Sequence, residues 1–193
     1  MEREAVIKQF ESKLLSTDRE GVEDLLEYLK SIGFYDAPAS TRFHGAFEGA
    51  LVEHSVFVLI FAERLAQAWL GDYEYSKMHN SIIISALLHD VGKCGQFNKP
   101  LYIPNILKTG QSEKQPYKVN DELRTLPHEI VSCIEVTKFI DLTEEEQQAI
   151  AWHNGLYGAF KYDIQGKETP LYMIIHFADM WASRVVESKG KVE

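Results

Sequence analysis

The chain has 193 residues, of which 45% are hydrophobic and 25% charged, and its formal net charge is −9. These values are ordinary for a globular protein with one core. They predict no membrane partner, because no apolar run approaches the roughly 20 residues that span a bilayer. They also predict no duplex nucleic-acid partner, whose binding rests on cationic side chains. Two cysteines without CxxC spacing predict a cytoplasmic protein.

Most of the chain shows helical periodicity. Apolar residues at helical spacing predict helices over 3–15, 19–32, 47–70, 76–91, 127–140, 143–153 and 170–188. Thr143 with Glu146 three residues later predicts a capping box. Residues 93–125 are predicted to be a long irregular loop, and residues 154–169 a second loop or a small hairpin. Because no alternating strand series appears, the predicted fold class is an all-α helical bundle, a single domain over 1–193.

Imidazole and carboxylate side chains recur at helix ends and on apolar helix faces. They are His54, His89, Asp90, His128, His153 and Asp179, on five predicted helices. A carboxylate among apolar neighbours, such as Asp179, is costly to bury unless it is paired or binds a metal. A helical bundle can bring such positions together around divalent ions. The pattern therefore predicts a metal site, against the alternative of separate and ordinary structural roles.

Three short motifs in a fixed order carry a family resemblance. GALVEHS surrounds His54, HDVGK begins at His89, and ADMWAS contains Asp179. Together they resemble the HD-domain superfamily of metal-dependent phosphohydrolases, over about residues 39–188. The resemblance implies an HD core over that range. Residues 1–38 would then be an N-terminal helical extension packed on the core.

The same resemblance implies roles for the candidate ligands. His54, His89, Asp90 and Asp179 would bind one divalent ion, and Asp90 would bridge to a second ion held by His128 and His153. The resemblance implies one or two divalent ions, which would be Mn, Fe, Co, Ni, Zn or Mg. Asp90 and Lys93 are the predicted catalytic residues. In this scheme metal-activated water attacks phosphorus while Lys93 contacts a phosphate oxygen.

The long loop offers cations beside aromatic rings. Between residues 93 and 118 there are five lysines and one acidic residue, Glu113. Lysines suit phosphates and aromatic rings suit a base, so this pattern favours nucleotide binding. The predicted substrate-binding residues are Lys93, His44, Lys99, Tyr102, Lys108 and Tyr117. The alternative is a solvated loop with ordinary lysines.

Several functions remain open at this point. The leading prediction is hydrolysis of a phosphoester or phosphoanhydride of a nucleotide, a nucleoside mono- or triphosphate. A phosphodiesterase acting on cyclic or short linear nucleotides, including RNA 3′ ends, is the second. An HD-like diiron oxygenase and a nucleotide sensor without turnover are the others. The predicted partner is a small phosphorylated substrate, and oligomerisation is compatible with the sequence.

Overall fold

A computed structural model describes residues 2–124 and 126–188 of the chain. Its described part contains six α-helices, which confirms the all-α fold class. They are α1 (Arg3–Leu15), α2 (Val22–Ser31), α3 (Ala50–Leu88), α4 (His128–Val136), α5 (Glu144–Trp152) and α6 (Pro170–Trp181). Among the described residues, none of these helices combines the length and the apolar character that crossing a bilayer requires.

The long helix α3 consists of two segments. Gly71 interrupts it with φ 71° and ψ 167°, a backbone conformation that glycine adopts more readily than other residues. The break lies between the two helices that the sequence predicts, over 47–70 and 76–91. The second segment continues to Leu88, and a short 3₁₀ turn, Val91–Cys94, follows it. The histidine–aspartate pair therefore lies between the end of α3 and this turn.

The predicted irregular stretch over 93–125 contains two small antiparallel hairpins, so that prediction was incomplete. Strand β1 (Tyr102–Pro104) pairs with β4 (Tyr117–Val119), and β2 (Ile106–Leu107) pairs with β3 (Gly110–Gln111) between them. Strands of two or three residues are too short to give a visible alternation of apolar and polar residues. Residues 154–169 form turns and a 3₁₀ helix, Gly155–Tyr157, and no hairpin.

The predicted capping box at the start of α5 is present. The backbone N–H of Glu146 donates to the Thr143 hydroxyl at 3.2 Å, and Glu146 accepts from the Thr143 N–H at 2.8 Å. The Glu146 carboxylate also accepts hydrogen bonds from Arg19 and Ser81. Because these partners lie on three parts of the chain, one buried carboxylate joins α5 to the N-terminal region and to α3.

One hydrophobic core connects the N-terminal helices with the rest of the molecule. Its buried members include Phe10 of α1, Leu25 of α2, Leu59 of α3, Ile150 of α5 and Ile174 of α6. Packing of this kind brings α3, α5 and α6 close to one another, and the histidine-bearing ends of these helices with them. The proposed division into an extension over 1–38 and a core over 39–188 stays a prediction.

Candidate metal centre and its cavity

The histidine–aspartate turn is held close to α4 by a glycine. A Cβ atom on Gly92 would lie 2.1 Å from the backbone oxygen of His128, so no larger residue fits without a shift of α4. The Gly92 N–H donates to the Ser132 hydroxyl at 2.9 Å. This close approach allows the first residue of α4, His128, to reach the carboxylate of Asp90.

The carboxylate of Asp90 lies at the centre of four imidazoles. Its Oδ2 is 3.4 Å from His89 Nε2 and 3.5 Å from His54 Nε2. Its Oδ1 is 3.2 Å from His128 Nε2 and 3.5 Å from His153 Nε2. The two oxygens thus face two different pairs of histidines. Each pair, with Asp90, forms a group whose candidate ligand atoms lie within 4.8 Å of one another.

Asp179 lies beside the first of these groups and contacts its His54. From α6 its Oδ1 lies 3.3 Å from His54 Nε2, which in turn is 3.3 Å from His89 Nε2. The six side chains that the sequence singled out therefore converge in one place. They are called the His/Asp cluster below: His54, His89, Asp90, His128, His153 and Asp179. Their individual roles as ligands stay a prediction.

In His89 and His153, a hydrogen bond at Nδ1 fixes the orientation of the ring, so that Nε2 faces the cluster. Nδ1 of His89 lies 2.8 Å from the carbonyl oxygen of Ala86, and Nδ1 of His153 lies 2.8 Å from that of Ile150. A carbonyl only accepts hydrogen bonds, so in both rings Nδ1 carries the proton. The unprotonated Nε2 then faces the cluster, which is the arrangement found in metal-ligating histidines.

The donor set of the cluster fits a divalent cation. Oδ1 of Asp90 is buried and has no hydrogen-bond partner within residues 2–124 and 126–188. A buried carboxylate oxygen without a donor is costly, and a cation would satisfy it. Imidazole nitrogen together with carboxylate oxygen suits Mn, Fe, Co, Ni or Zn. The cluster is therefore able to hold a metal ion, whose identity the ligands do not specify.

Charges in the cluster compensate one another strongly. Burial lowers the pKa of His54, but the charges of Glu187 and Asp179 outweigh burial and raise it to about 10. Burial raises the pKa of Asp90, yet the charges of Lys93 and His89 hold it well below its usual value. His54 is therefore protonated at neutral pH when no cation is bound. A cation must displace this proton to use His54 Nε2.

Lys93 places a cationic group directly against the cluster. Its Nζ lies 2.5 Å from Asp90 Oδ2, and its side chain is only 11% exposed. Burial lowers the pKa of Lys93, but the Asp90 carboxylate raises it by more than burial lowers it, so the ammonium stays charged. The same side chain contributes to the wall of a cavity. Lys93 can therefore present a fixed positive charge to a ligand next to the cluster.

The cavity has a volume of about 710 Å³ and opens onto the cluster, since His153 and Asp179 belong to its wall. Of the predicted substrate-binding residues, Lys93 and His44 line it. Burial lowers the pKa of His44 to about 4, so its imidazole is neutral there at neutral pH.

The other four predicted substrate-binding residues do not line this cavity. Lys99 donates to the backbone oxygen of Glu122 at 3.2 Å. Tyr102 and Tyr117 lie on the paired strands β1 and β4, and Lys108 lies in the turn between β2 and β3. Their roles in binding stay predictions.

Sequence reasoning missed several side chains that surround the candidate ligands. Glu129 and Asn154 directly follow His128 and His153, and the Asn154 amide nitrogen lies 2.8 Å from Glu129 Oε1. Adjacency to a candidate histidine was the only available signal. Glu187 lies 2.8 Å from His54 Nδ1, although nothing in its sequence neighbourhood marks it.

Comparison with known proteins assigns the class. The model of the HD domain family matches residues 51–180, which is more than half of the chain. The chain therefore belongs to the HD domain family. This confirms the predicted family resemblance and, at the level of the family, a metal-dependent phosphohydrolase.

A curated relative with a named activity is similar to part of the chain. It is the dihydroneopterin 2′,3′-cyclic phosphate phosphodiesterase of Methanocaldococcus jannaschii, 32% identical over an 88-residue alignment. The alignment covers 39% of this chain and 35% of that protein, so the chain matches about a third of the relative's length. No solved structure matches the chain significantly.

Proposed function

We propose that the chain hydrolyses a phosphoester or phosphoanhydride of a small nucleotide, a nucleoside mono- or triphosphate, with water activated at the His/Asp cluster. One observation carries this proposal: the cluster and a fixed ammonium, that of Lys93, border the same cavity. A phosphate in the cavity would therefore meet a lysine and the candidate metal ligands together.

We assign the proposed ligands to two ions according to which oxygen of Asp90 they lie nearest. His54, His89 and Asp179 lie on the Oδ2 side, with Asp90 as the fourth ligand of one divalent ion. On the Oδ1 side, Asp90 would share a second ion with two more imidazoles, His128 and His153. When bound, divalent ions supply an activated water and offset the negative charge on phosphoryl oxygens.

The protein side chains would position the substrate and leave the attack to water. Lys93 would contact a non-bridging phosphate oxygen, because its ammonium is charged and lies beside Asp90. Cys94, the neighbouring thiol, is 7% exposed, and burial raises its pKa. A thiol held in its protonated form is a poor nucleophile. This arrangement supports hydrolysis by water without a covalent enzyme intermediate.

The cavity wall supports a nucleotide as the substrate class. Arg184 and Arg42 both line it, and each guanidinium also lies over an aromatic ring of the wall: 4.4 Å from the ring centre of Tyr157 and 4.7 Å from that of Phe43. Guanidinium groups suit phosphates, and exposed rings suit stacking of a base. A volume of about 710 Å³ is in the usual range for small-molecule sites.

A cyclic phosphodiester is the second candidate substrate. It is favoured by the name of the Methanocaldococcus jannaschii relative, which acts on a 2′,3′-cyclic phosphate. A cyclic phosphodiester needs the same activated water and the same lysine contact, but its product is a monophosphate ester instead of free phosphate.

The remaining predictions concern the location of the protein, its nucleic-acid partners and its oligomeric state. A cytoplasmic location is supported by two free cysteines, Cys94 and Cys133. We infer no duplex nucleic-acid partner, because the net charge of −9 opposes binding to a polyanion. Oligomerisation stays a prediction.

A substrate panel tests the proposal. The chelator-treated chain is reloaded with Mn²⁺, Co²⁺, Ni²⁺, Zn²⁺, Fe²⁺ or Mg²⁺ and incubated with nucleoside mono- and triphosphates, 2′,3′- and 3′,5′-cyclic nucleotides and short oligoribonucleotides. Release of phosphate, pyrophosphate or triphosphate from a nucleotide supports the leading proposal, and ring opening without phosphate release supports the second. Turnover that consumes oxygen, or nucleotide binding without turnover under every condition, contradicts both.

A further inference from the structure

Glu187 contacts the side of the His54 ring that faces away from the cluster. Its Oε1 lies 2.8 Å from His54 Nδ1, and the two side chains are 10% and 1% exposed. On the other side of the ring, Asp179 Oδ1 lies 3.3 Å from Nε2. One imidazole thus lies between two carboxylates of the same C-terminal segment.

A π-helical turn places Glu187 in this position. Glu187 follows Asp179 by eight residues, which in an α-helix of 3.6 residues per turn would put it about 80° away around the axis. Residues Ala182–Val186 instead form a π-turn, in which the Glu187 N–H donates to the Ala182 oxygen, five residues earlier, at 3.0 Å. Such a turn takes up one extra residue. Glu187 therefore lies at about the position that the seventh residue after Asp179 would take in an unbroken α-helix. That position is within about 20° of Asp179 around the helix axis.

We propose that Glu187 is a positioning residue for His54, brought into place by the π-turn at Ala182–Val186. Its carboxylate accepts the hydrogen bond from Nδ1–H and so keeps the lone pair of Nε2 directed at the cluster. In the other two rings described above, His89 and His153, backbone carbonyls have this function. His89 and His153 are the C-cap residues of α3 and α5, where the last carbonyls have no intrahelical donor. His54 lies inside α3, where the carbonyl three residues earlier, that of Leu51, already accepts from the Ser55 hydroxyl. A carboxylate from the C-terminal segment takes that role for His54.

A carboxylate differs from a backbone carbonyl in its charge. Carboxylate partners of this kind orient a metal-ligating imidazole and raise its basicity, and losing one typically costs about 10- to 100-fold in metal affinity. The inference rests on the proposed ligand set, because Glu187 acts only through His54. The experiment therefore measures metal binding and the state of the His54 ring directly, in addition to activity.

The test compares Glu187→Ala, Glu187→Gln and native protein in the full chain. Zn²⁺ binding is measured by calorimetry after chelator treatment, and far-UV circular dichroism checks the fold. Glu145→Ala is the matched control, because it removes an exposed carboxylate from the first turn of α5. In parallel, nuclear magnetic resonance of the Zn²⁺-loaded protein with ¹⁵N-labelled histidine reports which ring nitrogen of His54 carries the proton.

We expect Glu187→Ala to weaken the tightest Zn²⁺ site by about 10- to 100-fold and to lose the hydrogen-bonded Nδ1–H signal. Glu187→Gln retains an acceptor oxygen, so its affinity should return to within a few-fold of native, and Glu145→Ala should match native. Native affinity in Glu187→Ala, or equal losses in Glu187→Ala and Glu187→Gln, would overturn the inference. If Asp90→Asn binds Zn²⁺ like native protein, the proposed ligand set itself is wrong, whatever Glu187 does.

Discussion

Replacing Asp90 by asparagine removes the one carboxylate that both proposed ions share. Its two oxygens lie between 3.2 and 3.5 Å from four imidazole nitrogens, two on each side. Asparagine keeps the shape but offers one uncharged oxygen. Loss of a partner outside the ligand shell costs about 10- to 100-fold in affinity, so loss of a charged ligand should cost at least about 100-fold for each ion. This corresponds to about 2.7 kcal/mol per ion.

The assay is metal analysis and Mn²⁺ titration of native and Asp90→Asn protein, with phosphohydrolase activity measured on the same samples. Asp72→Asn is the control, because Asp72 is exposed on α3 beyond the Gly71 break. The variant also leaves the buried Lys93 ammonium unpaired, which should cost about 3–5 kcal/mol of stability. A double variant that adds Lys93→Met should recover that stability without recovering metal. Retained metal and turnover in Asp90→Asn would refute the reasoning.

Three further changes have distinct expected outcomes. Lys93→Met should retain bound metal, measured by elemental analysis, while kcat/KM falls about 100-fold, because a charged contact to phosphate is lost. Gly92→Ala should lower the unfolding free energy by more than about 2 kcal/mol in a denaturant titration, because its Cβ would lie 2.1 Å from the His128 oxygen. Burial raises the pKa of Glu146, but hydrogen bonds from Arg19 and its other donors lower it below its usual value of 4.5. Its charge therefore stabilises the fold above about pH 4.5, and this stabilisation is lost as the pH falls through the folded-state pKa. Glu146→Gln should lose about 2 kcal/mol at pH 7 and progressively less at lower pH, measured by unfolding at a series of pH values.

Each of these expectations has a clear opposite. Loss of metal in Lys93→Met would show that the lysine supports the cluster itself. Unchanged stability in Gly92→Ala would mean that α4 can move away from the turn without cost. A stability difference between native protein and Glu146→Gln that stays constant from pH 7 to pH 3 would mean that the charge of Glu146 contributes nothing.

The helices and the candidate ligands could be predicted from the sequence because both leave local patterns in it. Apolar spacing marks the helices, and Thr143 with Glu146 marks the start of α5, where the capping box is present. The candidate histidines and aspartates stand out since such groups are costly among apolar residues. The constraint on Gly92, the close approach of α4, depends on a contact 36 positions away along the chain and has no local signature.

Other features could not be predicted, because no local signal encodes them. The hairpins between Tyr102 and Val119 use strands of two or three residues, too short for a periodic pattern. The place of Glu187 depends on a π-turn, which shifts the helical register by one residue. Lysine-rich composition pointed to the loop after residue 93, whereas two arginines, Arg42 and Arg184, line the cavity from elsewhere. Cavity walls are assembled by tertiary packing and combine residues that are distant in sequence.

The most direct measurement is the anomalous diffraction of a crystal of the full chain grown with Mn²⁺. The account expects manganese peaks on both sides of the Asp90 carboxylate, one bound by His54, His89 and Asp179 and the other by His128 and His153. Strong manganese peaks elsewhere, with none within coordination distance of Asp90, would contradict the central claim.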